Sequence, residues 1–186
     1  VANPFPEPDA IAPDMYHVVF NTTVTLEGGV RAPAIILEVT RKWAPYGADR
    51  FYSLVADNYY NDAAFFKVNP GVAVQWGIAA DPNVTAKWDT TFPDDPVEMS
   101  NTKWTVSFAS SGEHSRTTQV FINLDDHSEF DDQGFAPFAV VISGFETVEA
   151  LVNPTPGDPT GVDQTMYYTG GNEWLLEQYP NISMIV

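Results

Sequence analysis

The segment FFKVNPGVAVQWG, residues Phe65–Gly77, holds two short apolar runs that are rich in aromatic and β-branched residues. Runs of this length and composition are typical of β-strands. The segment therefore predicts a pair of neighbouring strands, Phe65–Val68 and Val72–Trp76. Lys67 lies on the first strand and Gln75 on the second, so that one cationic and one amide side chain interrupt an otherwise apolar stretch.

Most of the remaining chain shows the same strand character. Similar runs occupy Tyr16–Phe20, Val24–Leu26, Ala34–Val39, Thr105–Ala109, Val120–Asn123 and Phe138–Ile142. Between Trp76 and Thr105 the sequence is rich in aspartate and proline, which predicts a polar loop. Two segments have apolar residues at helical spacing and predict helices, Pro45–Asn58 and Phe145–Val152. Many strands and two helices indicate a barrel with helical caps.

Size and charge limit the classes of function. The 186 residues, 44% of them hydrophobic, are enough for one globular domain with a substantial core. Eight basic against 25 acidic residues give a formal net charge of −17, which disfavours nucleic acid and anionic membranes as partners. The chain has no cysteine, which excludes disulfides, and its apolar runs are far shorter than the roughly 20 residues of a membrane span.

The N-terminal residues 1–13 contain four prolines and predict an extended arm that precedes a domain of residues 14–186. Three Asn-x-Ser/Thr sequons, at Asn21, Asn83 and Asn181, are compatible with glycosylation on a secretory route. We expect an exported or organelle-lumenal protein, extracellular or in a plastid lumen for example, from which a targeting segment has been removed.

Ordered sequence blocks between about Tyr16 and Ile185 carry a family resemblance. They are Phe65–Gly77, Thr105–Ala109, Ser115–Leu124, Gly134–Val141, the first helix with its entry at Trp43, and the closing segment Gly171–Ile185. Together they resemble the cyclophilin-type peptidyl-prolyl isomerases. The resemblance implies a mainly β fold, a closed eight-stranded antiparallel β-barrel capped by two short α-helices, with a substrate groove on the outer face of the barrel.

The resemblance also implies the site residues. Lys67 stands where the family has its catalytic arginine, and Gln75 matches the glutamine of the next strand. The expected substrate-binding residues fall into matches (Ala109, Gln119, Phe121) and replacements: Val72 and Ala73 for phenylalanine and methionine, Ser110 for a common asparagine, and Phe135 nearest the groove histidine. Phe66 replaces a histidine, and Glu129 aligns nearest the groove tryptophan. The proline pocket is therefore expected to be shallower.

Two functions follow from this pattern. The first is a peptidyl-prolyl cis-trans isomerase that acts on proline-containing polypeptides without a cofactor, with a rate reduced by Lys67. Lysine is a flexible point charge, whereas arginine offers a planar fork of oriented donors. The alternative is a weak or inactive proline-peptide-binding module, or a structural subunit of a larger assembly.

Metal chemistry has little support in the sequence. His17, His114 and His127 are far apart and do not form a zinc-binding motif. The paired aspartates lack the spacing of a calcium-binding loop and are typical of solvated loops. No metal ion is therefore expected.

Overall fold

The computed structural model describes residues 10–186, and within them seven strands form one antiparallel sheet. The strands are β1 (Met15–Phe20), β2 (Ile35–Thr40), β3 (Lys67–Asn69), β4 (Ala73–Trp76), β5 (Thr105–Phe108), β6 (Val120–Asn123) and β7 (Pro137–Ser143). Their order in the sheet is β1-β2-β7-β5-β6-β4-β3. The predicted strand pair of residues 65–77 is present as β3 and β4, although β3 begins only at Lys67.

The expected closed eight-stranded barrel is not confirmed, because the described sheet has seven strands and no ladder joins β1 to β3. The C-terminal residues lie between these two edges but make only isolated bridges, Thr22 with Ile185 and Ala64 with Met184. Isolated bridges do not form a continuous ladder of hydrogen bonds with either β1 or β3. The strand predicted at Val24–Leu26 is also wrong, since it is reduced to one bridge.

The main core lies between the sheet and helix α1 (Pro45–Ala56). Phe51 and Leu54 of this helix are fully buried, and the Phe51 ring lies 5.0 Å from that of Phe138 on β7. Each buried side chain of this size contributes about 1.5–3 kcal/mol. The N-terminus of α1 is capped by a residue that is distant in the sequence: the Asp95 carboxylate accepts hydrogen bonds from the Tyr46 and Gly47 amides, both at 2.9 Å. The second predicted helix is present as α3 (Phe145–Glu149).

Two further helices, α2 (Pro82–Trp88) and α4 (Gln164–Gln178), were not expected. The polar-loop prediction is wrong for α2, since Asp81 accepts a hydrogen bond from the Asn83 amide and proline occupies the first helical turn. Helix α4 contains a kink at Gly171, where φ is +56° and a Cβ would lie 2.5 Å from the Ala80 carbonyl oxygen. Only glycine fits there without displacing the backbone.

Helix α4 packs beside α2 and against residues that flank β3 and β4, and this packing creates a second, smaller core. The buried residues of this core include Phe66, Ile78, Tyr167 and Leu175. The Phe66 and Tyr167 rings meet at 6.2 Å. This packing places the first turns of α4 beside β3 and β4, where the predicted site residues lie.

The predicted arm, residues 1–13, lies mostly outside the described residues. Its last part docks on the domain, since Ala12 is buried and its amide donates a hydrogen bond to the Asp49 carboxylate at 2.9 Å. Within residues 10–186 no helix combines the length and apolar character needed to span a bilayer.

Candidate functional site

A cavity of about 340 Å³ opens on the outer face of strands β3, β4 and β6. Eight of the nine predicted site residues line it: Lys67, Val72, Ala73, Gln75, Ala109, Ser110, Phe121 and Phe135. Asn69, Phe130, Gln133 and Gln164 complete its wall. Segments that are distant in the sequence therefore meet at one site.

Strand register brings the central residues together. Lys67 lies directly opposite Gln75, and Gln75 lies opposite Phe121. Side chains of directly opposed residues share one face of a sheet, with Cβ atoms about 4.5–5.5 Å apart. A cation, an amide and an aromatic ring therefore form a row across three strands. Phe121 is buried, while Lys67 and Gln75 remain partly exposed at the cavity mouth.

Three phenylalanines form the apolar wall of the cavity. The Phe121 ring lies 5.4 Å from Phe135 and 6.0 Å from Phe130, and Phe130 lies 5.6 Å from Phe135, all in edge-to-face arrangements. Such pairs stabilise one another beyond the area they bury. Phe130 was not among the predicted residues, because the irregular turn between Glu129 and Gly134 obscured its position. Its ring supplies apolar surface that Val72 and Ala73 do not.

A chain of amide side chains borders the cavity on the other side. Gln75 Nε2 donates to Gln119 Oε1 at 2.6 Å, and Gln119 Nε2 donates to Gln164 Oε1 at 3.0 Å and to the Tyr168 hydroxyl at 2.9 Å. Gln119, the ninth predicted residue, lines an adjoining cavity of about 400 Å³ instead. Gln75 and Gln164 border both cavities, so the two cavities adjoin. Gln164 and Tyr168 were missed because α4 was not predicted.

The backbone of Lys67 is firmly held, whereas its amine is not. The Val162 amide donates to the Phe66 carbonyl at 3.0 Å, and the Asn69 side chain donates to the Pro159 carbonyl at 2.9 Å. Gly161 lies so close that a Cβ there would be 2.7 Å from Lys67 Cβ. Within the described residues no hydrogen bond or ion pair holds the Lys67 ammonium group. The group can therefore reach a ligand in the cavity.

A buried polar network supports the aromatic wall from beneath. Asn101 is fully buried, and its side-chain nitrogen donates to Asp131 at 2.7 Å and to the Phe135 carbonyl at 2.8 Å. Its oxygen accepts from Ser107 at 3.0 Å and from Asn123 at 3.1 Å. These bonds tie the turn that carries the aromatic wall to strands β5 and β6.

Asp131 is held in its ionised form by this network. Burial raises the pKa of its carboxyl, but the hydrogen bonds that Ser100 and Asn101 donate to it outweigh burial, so that the pKa is lowered overall. At neutral pH the Asp131 carboxylate is therefore ionised and accepts the hydrogen bonds that Ser100 and Asn101 donate.

Comparison with known proteins agrees with this geometry. A profile of the family described as cyclophilin type peptidyl-prolyl cis-trans isomerase/CLD matches residues 23–168. The chain belongs to this family of enzymes. It is 30% identical over 161 residues to a peptidyl-prolyl cis-trans isomerase of Acinetobacter baylyi, across 81% of each protein. It is also 29% identical to peptidyl-prolyl cis-trans isomerase-like 3 of Dictyostelium discoideum, across 67% of this chain and 78% of that protein.

Solved structures share the fold. A cyclophilin-type isomerase of Cryptosporidium parvum superposes with a TM-score of 0.63 at 24% identity, covering 80% of this chain and 91% of the other. In this chain strands β3, β4 and β6 bring Lys67, Gln75 and Phe121 to the cavity. The cavity is thus the candidate active site of this cyclophilin-type chain.

Proposed function

We propose that the cavity binds the proline ring of an X–Pro bond and that the chain isomerises extended, proline-containing polypeptides at a reduced rate. The observation that carries this proposal is the row of Lys67, Gln75 and Phe121 at the mouth of an aromatic-walled cavity. A second structure of the Cryptosporidium enzyme, 23% identical to this chain, was determined in the presence of the dipeptide Ala-Pro. That dipeptide is a ligand of the proposed class.

The reaction needs only a group that favours the twisted amide. Rotation about an X–Pro bond faces a barrier of about 18–20 kcal/mol, which arises from amide resonance. Twisting localises a lone pair on the prolyl nitrogen, so a cationic donor interacts more strongly with the twisted state than with the planar one. Lys67 Nζ can fill this role, while the aromatic wall holds the ring and Gln75 holds the peptide backbone.

Lysine is expected to do this less well than arginine. A single flexible ammonium cannot form the several oriented bonds of a guanidinium. If the lost orientation is worth about 1.4–3 kcal/mol, the rate falls roughly ten- to hundredfold. Val72, which is 39% exposed, should lower the rate further, because it gives the proline ring of the substrate less apolar contact than a larger side chain would.

One observation favours the alternative function, a peptide-binding module or a structural subunit of a larger assembly. The amide chain from Gln75 through Gln119 to Gln164 is complete, whereas the catalytic side presents one unanchored amine. Binding could therefore survive without measurable turnover. In that case the chain would bind proline peptides with the same affinity whether residue 67 is lysine or alanine.

The test compares kcat/KM on one X–Pro peptide for the wild-type chain, Lys67→Arg and Lys67→Ala. We expect Lys67→Arg to be roughly tenfold or more faster and Lys67→Ala to be slower than wild type. Lys42→Arg, an exposed lysine beyond β2, is the matched control and should change nothing. Equal rates for the wild type and Lys67→Arg would refute the reduced-rate proposal.

We also propose an exported or organelle-lumenal location. The three sequon asparagines, Asn21, Asn83 and Asn181, are all exposed, as oligosaccharide attachment requires. Mass spectrometry of the chain secreted from a eukaryotic host would reveal glycans at these positions. Unmodified asparagines at all three sites would leave the secretory route without support.

A further inference from the structure

His127 lies between the β3–β4 turn and the short helix Ser128–Phe130. Its Nδ1 lies 2.9 Å from Glu129 Oε1, and its Nε2 lies 3.1 Å from the carbonyl oxygen of Gly71. The ring stacks on Phe130, with centroids 4.9 Å apart and planes inclined by 24°. The side chain is only 14% exposed, so it is a packed part of the cavity surround.

Both partners of the ring are acceptors that carry no proton at neutral pH. A neutral imidazole has one N–H donor and one bare nitrogen, whereas the imidazolium has two donors. Only the protonated ring can therefore donate to the Glu129 carboxylate and the Gly71 carbonyl at once. When the ring loses a proton, the remaining proton stays on Nδ1, because the hydrogen bond to the Glu129 carboxylate is charge-assisted and is the stronger of the two. Nε2 then faces the Gly71 carbonyl as a bare nitrogen, and the bond to the turn breaks.

The bond from Nε2 to Gly71 links two segments that line the cavity. Gly71 immediately precedes Val72, and Val72 lines the cavity from the β3–β4 turn. Phe130, beneath the imidazole ring, lines it from the other side. His127 therefore links the β3–β4 turn to the aromatic wall, in addition to the backbone bond that the Leu124 amide donates to the Val72 carbonyl at 3.0 Å.

We propose that His127 is a positioning residue whose imidazolium form holds the β3–β4 turn against the Phe130 wall, so that the cavity binds X–Pro peptides more tightly when His127 is protonated. This inference rests on the proposed function of the cavity. It concerns binding of the proline ring rather than proton transfer, since isomerisation moves no proton.

The surroundings of the ring set the pH range. Desolvation lowers the pKa of His127, but the hydrogen bonds to Glu129 and Gly71 and the charges of Glu129 and Asp125 raise it above the ordinary 6.5. The β3–β4 turn presents the Gly71 carbonyl to the ring. Behind the ring, the Asn101 carbonyl accepts a hydrogen bond from the His127 backbone amide. With a raised pKa, the bond to the turn is complete at acidic pH and is lost as the pH rises through that pKa.

The test measures KM and kcat for an X–Pro peptide between about pH 6 and 9, a window on both sides of an ordinary histidine pKa. We expect the wild-type KM to rise about two- to tenfold with pH, while kcat changes less. His127→Phe keeps the stacked ring but loses both bonds, so its KM should be high and independent of pH. In Glu129→Gln the side-chain amide can donate to Nδ1 of a neutral ring, so that Nε2 keeps its proton and its bond to Gly71, and KM should stay low across the pH range.

Imidazole ¹⁵N shifts and backbone amide shifts provide a readout that does not depend on catalysis. The Val72 and Phe130 amides should titrate with the same midpoint as the His127 ring. A KM that stays flat while the ring titrates would overturn the proposal, as would a pH step that persists in His127→Phe. If the chain isomerises no peptide at any pH, the proposed function fails, and the titration of the Val72 amide alone then decides whether His127 holds the turn.

Discussion

Replacing Asn101 with alanine tests the polar network beneath the aromatic wall. The wild-type side chain donates hydrogen bonds to Asp131 and to the Phe135 carbonyl, and it accepts from Ser107 and Asn123. All four distances lie between 2.7 and 3.1 Å, and Asn101 has no exposed surface. Alanine removes all four bonds and leaves buried polar partners behind.

The magnitude follows from these four bonds. A hydrogen bond contributes about 1 kcal/mol net, and a buried group left without a partner costs more. We therefore expect Asn101→Ala to lower the free energy of unfolding by about 3–5 kcal/mol. For a chain of this size that corresponds to a fall in Tm of about 2–4 °C per kcal/mol. Loosening of the aromatic wall should also raise KM for an X–Pro peptide.

Urea unfolding followed by circular dichroism measures the effect as a shift in midpoint at constant slope. The matched control is Asn21→Ala, an exposed asparagine, which should change the free energy of unfolding by less than about 0.5 kcal/mol. A loss below about 1 kcal/mol for Asn101→Ala would show that the network does not stabilise the wall and would refute the reasoning.

Three further substitutions test other parts of the account. Gly161→Ala places a Cβ 2.7 Å from Lys67 Cβ on β3, whereas at Gly157, where φ is also positive, the space is open. Urea unfolding should therefore show Gly161→Ala to be about 1–3 kcal/mol less stable than Gly157→Ala. Equal losses of stability in the two variants would contradict this. Because the pKa of Asp131 is lowered in the folded protein, its contribution to stability fades as the pH falls below its ordinary 3.8. Asp131→Asn should therefore lose less stability on acidification than wild type, and parallel acid-unfolding curves would count against it. Asp95→Ala removes a buried partner of Arg116, 3.1 Å away, and should cost about 3–5 kcal/mol in calorimetry; a near-neutral result would show that the pair is not needed.

The sequence predicted the strands and the two helices that have clear periodicity. It did not predict α4, because the glycine kink at Gly171 interrupts the helix and its apolar residues form no single stripe. The eighth strand that the family resemblance implied is not confirmed, since the C-terminal residues make only isolated bridges, which depend on contacts that no local pattern encodes. Local propensity thus predicts elements that pack on one face, but it does not predict elements whose structure depends on tertiary contacts.

For the site, eight of the nine residues that the family resemblance implied share one cavity, because they lie on or beside the paired strands β3, β4 and β6 or at the ends of β5 and β7. The residues that were missed, among them Phe130 and Gln164, come from an irregular turn and from an unpredicted helix. His127 was considered only as a zinc ligand, since its role depends on a carbonyl of a distant turn. The departures at Lys67, Val72 and Ala73 could be read from the sequence, but their effect on rate remains a prediction.

The most direct test of the central proposal is NMR exchange spectroscopy on a short Ala-Pro peptide with catalytic amounts of this chain. We predict exchange cross-peaks between cis and trans forms that are weaker than those produced by Lys67→Arg and stronger than those produced by Lys67→Ala. Peptide binding without any exchange enhancement by the wild-type chain or Lys67→Arg would contradict the isomerase proposal and leave a proline-binding module.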